Sequence, residues 1–151
     1  MRLNEDKVII YTDGGAKPNP GAGGWAALLI YGETERELSG GEARTTNNKM
    51  EMTAAIEALE ALRQPTTVEF YTDSQYLKKG ITEWIVKWRK NGWRTANGKP
   101  VLNQDLWMRL DELTNEHDIT WKWTRGHAGN PFNERVDQLA TAARERARYA
   151  R

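Results

Sequence analysis

Residues 8–30, VIIYTDGGAKPNPGAGGWAALLI, decide how the chain folds. Val8, Ile9, Ile10 and Tyr11 form an apolar, β-branched run suited to a central strand covered on both faces. Asp13 ends that run, and Gly14, Gly15, Pro18, Asn19, Pro20, Gly21, Gly23 and Gly24 precede a second apolar run over 25–30. A carboxylate at the end of a buried strand, facing backbone stripped of side chains, suits the approach of a bulky anionic ligand. Taken alone, the stretch reads more readily as a hairpin in which Asp13 bonds its own loop. The remaining residues have to decide.

At 151 residues the chain is expected to be one domain, 1–151, with a single sizeable core. Its balance of 38% hydrophobic and 28% charged residues excludes a disordered chain. Without cysteine there is no disulfide framework, thiolate metal site or cysteine nucleophile. No apolar run is long enough for a signal peptide or a membrane span, so the cytoplasm is the expected location. Net charge is only +1, yet Lys78, Lys79, Lys87, Arg89, Lys90, Arg94 and Lys99 face Glu83 alone between 78 and 99, a local excess of six. Such a segment is either a polyanion contact or a solvated helix face.

In chain order, 7–13 and 23–31 read as strands and 35–42 as a weaker edge strand. Thr45, Thr46, Asn47 and Asn48 supply N-cap chemistry for a helix over 50–63. Ala55, Ala58, Leu59 and Leu62 form its inner stripe, and Glu51 extends that stripe towards the helix start. A carboxylate there needs a partner. Val68 to Tyr71 form the next strand, again followed by Thr72 and Asp73, so YTDG at 11–14 is echoed by YTDS at 71–74. Ser74 caps a short helix expected to end at Gly80, and Ile81, Trp84, Ile85 and Trp88 mark a second helix. Trp93 and Arg94 begin a breaker-rich loop whose basic and aromatic residues suit a nucleic-acid strand. A helix over 105–115, a strand over 119–123, a glycine-hinged loop over 125–131 and a helix from Pro131 complete the chain, with a polar tail after about 144 that is expected to fray.

This β-β-β-α-β-α-β-α order predicts an α/β fold, a five-stranded mixed sheet with helices on both faces. Asp13 and Asp73 end neighbouring strands, where ligands gather in open α/β sheets, and Glu51 and Asp137 start helices. Four carboxylates in one place repel unless cations intervene. An all-oxygen donor set selects a hard cation, and two Mg²⁺ ions roughly 4 Å apart are the usual arrangement for phosphodiester hydrolysis. Mn²⁺ is the expected substitute.

The blocks YTDGGAKPNPGAGGW, TTNNKMEMTAAIEALEAL, YTDSQYLKKGITEWI, KWRKNGW, DLW and TRGHAGNPFNERVDQLA span about 8–143. In this order and spacing the chain resembles the bacterial type-one ribonuclease H family, endonucleases that cut the RNA strand of RNA–DNA hybrids. The resemblance implies the ribonuclease H-like fold, with Asp13, Glu51, Asp73 and Asp137 as metal-binding catalytic acids and His127 as a loop histidine that assists turnover. It implies that Asn19, Asn47 and Gln75 read the RNA minor groove and that Arg44, Thr46 and Asn103 surround a DNA phosphate. Trp84 would follow the DNA strand together with Lys87, Arg89, Lys90 and Arg94. Gly15 and Ala16 depart from the family's usual Ser and Cys-like residues, and Asn130 replaces a frequent second His. No separate hybrid-binding module is expected beside the domain, so the basic segment is expected to supply most hybrid affinity.

The expected activity is hydrolysis of the RNA strand to 5′-phosphate and 3′-hydroxyl ends, by a monomer with no membrane partner. Two rivals share the fold: a transposase- or integrase-like strand-transfer domain and a non-catalytic hybrid-binding module. Such strand-transfer domains usually show three acids without a GHAGNP loop, and a binding module would not need four intact acids.

Overall fold

The computed structural model describes residues 7–124 and 130–149. Strands β1 (Lys7–Ala16), β2 (Gly21–Tyr31), β3 (Thr34–Thr45), β4 (Thr67–Thr72) and β5 (Asp118–Trp123) form one sheet in the order β3-β2-β1-β4-β5. β1 lies between an antiparallel partner, β2, and a parallel one, β4. β4 and β5 are also parallel. The sheet is therefore mixed, with five strands, as expected.

The helices are α1 (Asn47–Glu60), α2 (Gln75–Lys79), α3 (Ile85–Lys90), α4 (Gln104–Glu116) and α5 (Pro131–Tyr149). Strand alternation sends Val8 and Ile10 of β1 to one face, into a core with Phe70, Leu59, Leu77 and Trp107. Ile9 and Tyr11 turn to the other face, against Val136 and Ala140 of α5. Both faces of β1 are thus covered, which is what its unbroken apolar run requires. Each fully buried side chain of this kind contributes roughly 1.5–3 kcal/mol relative to exposure. Among the described residues no helix is long and apolar enough to cross a membrane.

Several boundaries differ from those expected, among them α1, which spans Asn47–Glu60 instead of 50–63 because Thr46 caps it earlier. β1 runs past Asp13 to Ala16 and β2 begins at Gly21, because Gly14, Gly15 and Ala16 still pair with Trp25, Gly24 and Gly23. Only residues 17–20 turn, closed by Lys17 N–H donating to the Ala22 carbonyl at 2.9 Å. β3 extends to Thr45, where it pairs with Gly21 across an irregularity in β2. Gly80 does not end a helix: a π-helical turn, Gly80–Trp84, joins α2 directly to α3. Gly80 is there because Trp107 lies on it, and a Cβ would stand 2.0 Å from the indole Cη2. The polar tail does not fray at 144. α5 continues to Tyr149, and Arg148 Nη2 donates to the Lys17 carbonyl at 2.6 Å.

Candidate active site

Asp13, within β1, and Asp73, just past β4, stand at matching heights, since the parallel register sets Tyr11 beside Tyr71. Glu51 joins them from the first turns of α1. That helix can sit so close because Gly14 has no side chain: a Cβ would lie 2.5 Å from the Met50 carbonyl carbon. Thr46 caps α1, its Oγ1 accepting from Lys49 N–H at 3.1 Å. Asp137 comes from α5 on the opposite face, where Asp13 also points because it shares parity with Tyr11.

The carboxylates are in electrostatic contact. Asp13 is raised well above the ordinary carboxylate range, chiefly by burial, then by its hydrogen-bonding contact with Asp137 and by the charges of Asp73 and Asp137. Glu51 is pushed up to about 7 by burial, with the Asp73 charge adding to the rise. The Ser74 hydroxyl opposes that rise by donating to Glu51 Oε1 at 2.7 Å. Among the described residues no three His, Asp or Glu side chains close on one point tightly enough to hold an ion by themselves. The acids form an open cluster instead of a finished cage. A cleft of about 150 Å³ adjoins it, lined by Asp13, Gly14, Gly15, Gly24, Asp137 and Arg144 among others. A larger cavity, about 660 Å³, lies elsewhere, bordered by Lys49, Leu102 and Asn103.

The residues expected to touch substrate fall into two groups. Asn19 and Asn47 sit beside the acids and are tied together. Asn19 Oδ1 accepts from Asn47 N–H at 3.1 Å, and Asn47 Oδ1 accepts from Ala16 N–H at 2.7 Å. Gln75 is exposed at the start of α2, two residues after Asp73, and Arg44 is exposed near the end of β3. Asn103 precedes α4 in a left-handed conformation, φ 60°, with Nδ2 donating to the Tyr76 hydroxyl at 3.1 Å.

The second group lies on the α2–α3 helix and the loop after it. Trp84 is half-buried against Tyr76, Trp88 and Trp107, so it serves the core as well as the surface. Lys87 and Lys90 are exposed. Arg89 is bonded to Asp111 of α4, Nε to Oδ2 at 3.0 Å, which removes one cation from the open patch. Arg94 Nη1 donates to the Gly98 carbonyl at 2.8 Å. His127 lies outside the described residues.

Sequence reading missed two participants. Ser74 was legible as a helix cap, and Leu77 N–H does donate to its Oγ at 3.1 Å, but its bond to Glu51 was not foreseen. Asn130 caps α5, its Oδ1 accepting from Phe132 and Asn133 N–H at 2.9 and 3.1 Å. The dipeptide Asn130-Pro131 was the available signal, since Asn favours the cap and Pro the first helical position.

An α/β sheet of this order, with an acid cluster at its strand ends, defines the ribonuclease H-like class. The family model described as RNase H matches residues 5–145. A ribonuclease H of Thiobacillus denitrificans is 60% identical over 138 residues, covering 91% of this chain and 93% of its own. One from Hahella chejuensis is 62% identical over 133 residues, covering 88% and 90%. LC9-RNase H1, described as a type 1 RNase H with the type 2 active-site motif, superposes with a TM-score of 0.82 at 32% identity over 93% of this chain and 72% of that one. LC11-RNase H1 in complex with RNA/DNA hybrid gives 0.63 at 25% identity, covering 93% and 98%. The chain belongs to the ribonuclease H family. It is accordingly an enzyme, a hydrolase of the endonuclease kind.

Proposed function

We propose that this chain hydrolyses the RNA strand of RNA–DNA hybrids, leaving 5′-phosphate and 3′-hydroxyl ends, with two divalent cations at Asp13, Glu51, Asp73 and Asp137. The observation that carries the reading is the acid cluster, in which burial and neighbouring carboxylates raise Asp13 and push Glu51 up to about 7. Oxygen-only donors suit Mg²⁺, with Mn²⁺ as substitute. The open arrangement suits an ion that keeps several waters and takes substrate phosphate as a ligand. When bound, Mg²⁺ would activate the attacking water and stabilise charge on the phosphate.

The chain's own residues do the rest. Asp13 would give up its proton on becoming a ligand, and the Ser74 hydroxyl keeps Glu51 Oε1 engaged. Asn19, Asn47 and Gln75 meet 2′-hydroxyls, which mark RNA in the wide minor groove of an A-like helix. Arg44, Thr46 and Asn103 take a DNA phosphate, and Trp84, Lys87, Lys90 and Arg94 track the same strand. Arg89 contributes less, being held by Asp111. His127 delivers a proton as the 3′ oxygen departs. The enzyme acts as a cytoplasmic monomer. Relatives named ribonuclease H, one of them solved with an RNA/DNA hybrid, support this reading over a strand-transfer domain or a non-catalytic module.

The deciding experiment incubates the protein with labelled hybrid, RNA duplex and DNA duplex, with and without Mg²⁺. Cleavage of hybrid RNA alone, only with the cation, is expected. Metal-free cleavage, or hydrolysis of the DNA duplex, would overturn the assignment.

A further inference from the structure

Asn103 stands at the start of α4, a position from which asparagine usually caps its own helix through Oδ1. It does not do so here. Its carbonyl begins the helix by accepting from Trp107 N–H at 3.0 Å, yet its side chain makes no cap bond. The backbone is left-handed, φ 60° and ψ 33°, a region that asparagine enters more readily than most residues but still at a cost. The side chain reaches across the fold instead, and Nδ2 donates to the Tyr76 hydroxyl of α2 at 3.1 Å, 27 positions back. An amide withheld from its own helix at a strained residue calls for a use elsewhere.

The Tyr76 hydroxyl is a well-anchored point. Trp107 Nε1, which can only donate, gives its hydrogen to the same oxygen at 3.3 Å. The Tyr76 ring packs on Trp84 and on the fully buried Trp107, centroids 5.5 and 5.2 Å away. Tyr76 also belongs to the first turn of α2, whose cap Ser74 bonds Glu51 at 2.7 Å. The start of α4 is therefore referenced to the helix that touches the acid cluster. Among the described residues Tyr76 is the only hydrogen-bonding partner of the Asn103 side chain. The amide carries a second N–H, which stays available to a phosphate oxygen. Holding the first N–H fixes where the second one points.

We propose that Tyr76 is a positioning residue for substrate, its hydroxyl orienting Asn103 so that the second amide N–H meets a phosphate of the DNA strand. This rests on reading Asn103 as a DNA-phosphate contact. Tyr76→Phe deletes the hydroxyl and keeps the ring against Trp84 and Trp107. Asn103→Gly deletes the side chain and suits the left-handed backbone.

The test compares wild type, both single variants and the double variant. Hybrid affinity is read in Ca²⁺ by fluorescence anisotropy, kcat and KM in Mg²⁺, and melting temperature alongside. Tyr76→Phe should weaken hybrid binding and raise KM roughly two- to tenfold, the scale set by losing one hydrogen bond, with kcat at saturating hybrid unchanged. The double variant should bind no more weakly than Asn103→Gly, since both changes act on one contact. Hybrids carrying a single uncharged methylphosphonate, moved along the DNA strand, give a second readout. A position whose effect on wild type is lost in Asn103→Gly should lose most of that effect in Tyr76→Phe as well. A Tyr76→Phe protein that melts lower yet binds hybrid like wild type would reduce the hydroxyl to a core contact and overturn the proposal. Additive losses in the double variant would also overturn it, as would a Tyr76→Phe protein too unstable to assay, since the hydroxyl would then serve the core. If every methylphosphonate position affects Asn103→Gly as it does wild type, the DNA-phosphate reading of Asn103 fails instead, and this inference with it.

Discussion

At Asp13 and Glu51, burial and neighbouring negative charge both favour the neutral acid, so each holds its proton more tightly in the folded chain than in the unfolded one. Folded values above unfolded ones give stability that is fully present below the ordinary carboxylate range and lost as pH rises, through about 7 for Glu51. Metal-free protein should therefore melt at lower temperature near pH 8 than near pH 5, and Glu51→Gln should flatten that dependence. A melting temperature that climbs with pH in wild type would contradict the cluster. Asp13→Asn should abolish hybrid cleavage while the fold survives. Ser74→Ala should cost about 1 kcal/mol through the lost cap, lowering the melting temperature by roughly 2–4 °C for a domain of this size. It should also move the Glu51 titration, followed by carboxyl NMR, further upward, since the Ser74 hydroxyl is the contact that holds it down. For His127→Ala we expect turnover lower by roughly ten- to a hundredfold with cation binding unchanged. A collapse of cation binding in that variant would place His127 in the metal site.

Among the elements, the helix from α2 to α3 shows where local pattern was enough and where it was not. Ile81, Trp84, Ile85 and Trp88 announced a helix by their spacing. Gly80 read as its preceding stop because glycine serves equally at helix ends and at close approaches. Only Trp107, brought onto Gly80 by α4, tells the two apart. Gly80→Ala should overpack that contact and destabilise by about 1–3 kcal/mol or more, measured by denaturant midpoint at unchanged slope. The same helix carries the basic patch, whose charge excess was counted along the chain without Asp111, because a partner on another helix leaves no local trace. Replacing Lys87, Lys90 and Arg94 together should flatten the salt dependence of hybrid binding, each lost phosphate contact changing the log–log slope by roughly 0.9 if the hybrid behaves like B-form duplex. Arg89→Ala should change the slope less and the melting temperature more. If Arg89→Ala has the largest slope effect of all, its bond to Asp111 does not survive on the substrate.

For the whole molecule, the five-stranded mixed sheet was legible because its signals are local: apolar runs, glycine breaks, and an Asp after the apolar run of each of two neighbouring strands. The length of α5 was not, because its last turns are held by contacts such as Arg148 to Lys17, 131 positions apart. What the complete fold adds is that the acids come from both sides of the sheet, Glu51 from α1 and Asp137 from α5, so an ion held among them would tie the two layers together. An ion that binds only the folded chain stabilises it by RT ln(1 + [ion]/Kd), roughly 1.4 kcal/mol at ten times Kd. For a domain of this size that raises the melting temperature by roughly 3–6 °C. Protons compete for the same oxygens, and Glu51 with a value of about 7 is largely protonated near pH 5 and ionised near pH 8. The Mg²⁺-induced rise should therefore be larger near pH 8, opposite in sign to the pH trend of the metal-free protein, and Asp13→Asn should diminish it. Ca²⁺ should also raise the melting temperature yet support little hydrolysis, because its larger, looser shell misplaces the attacking water. A Mg²⁺ shift equal at both pH values, or undiminished in Asp13→Asn, would mean that the ion binds elsewhere and that these acids are not its ligands.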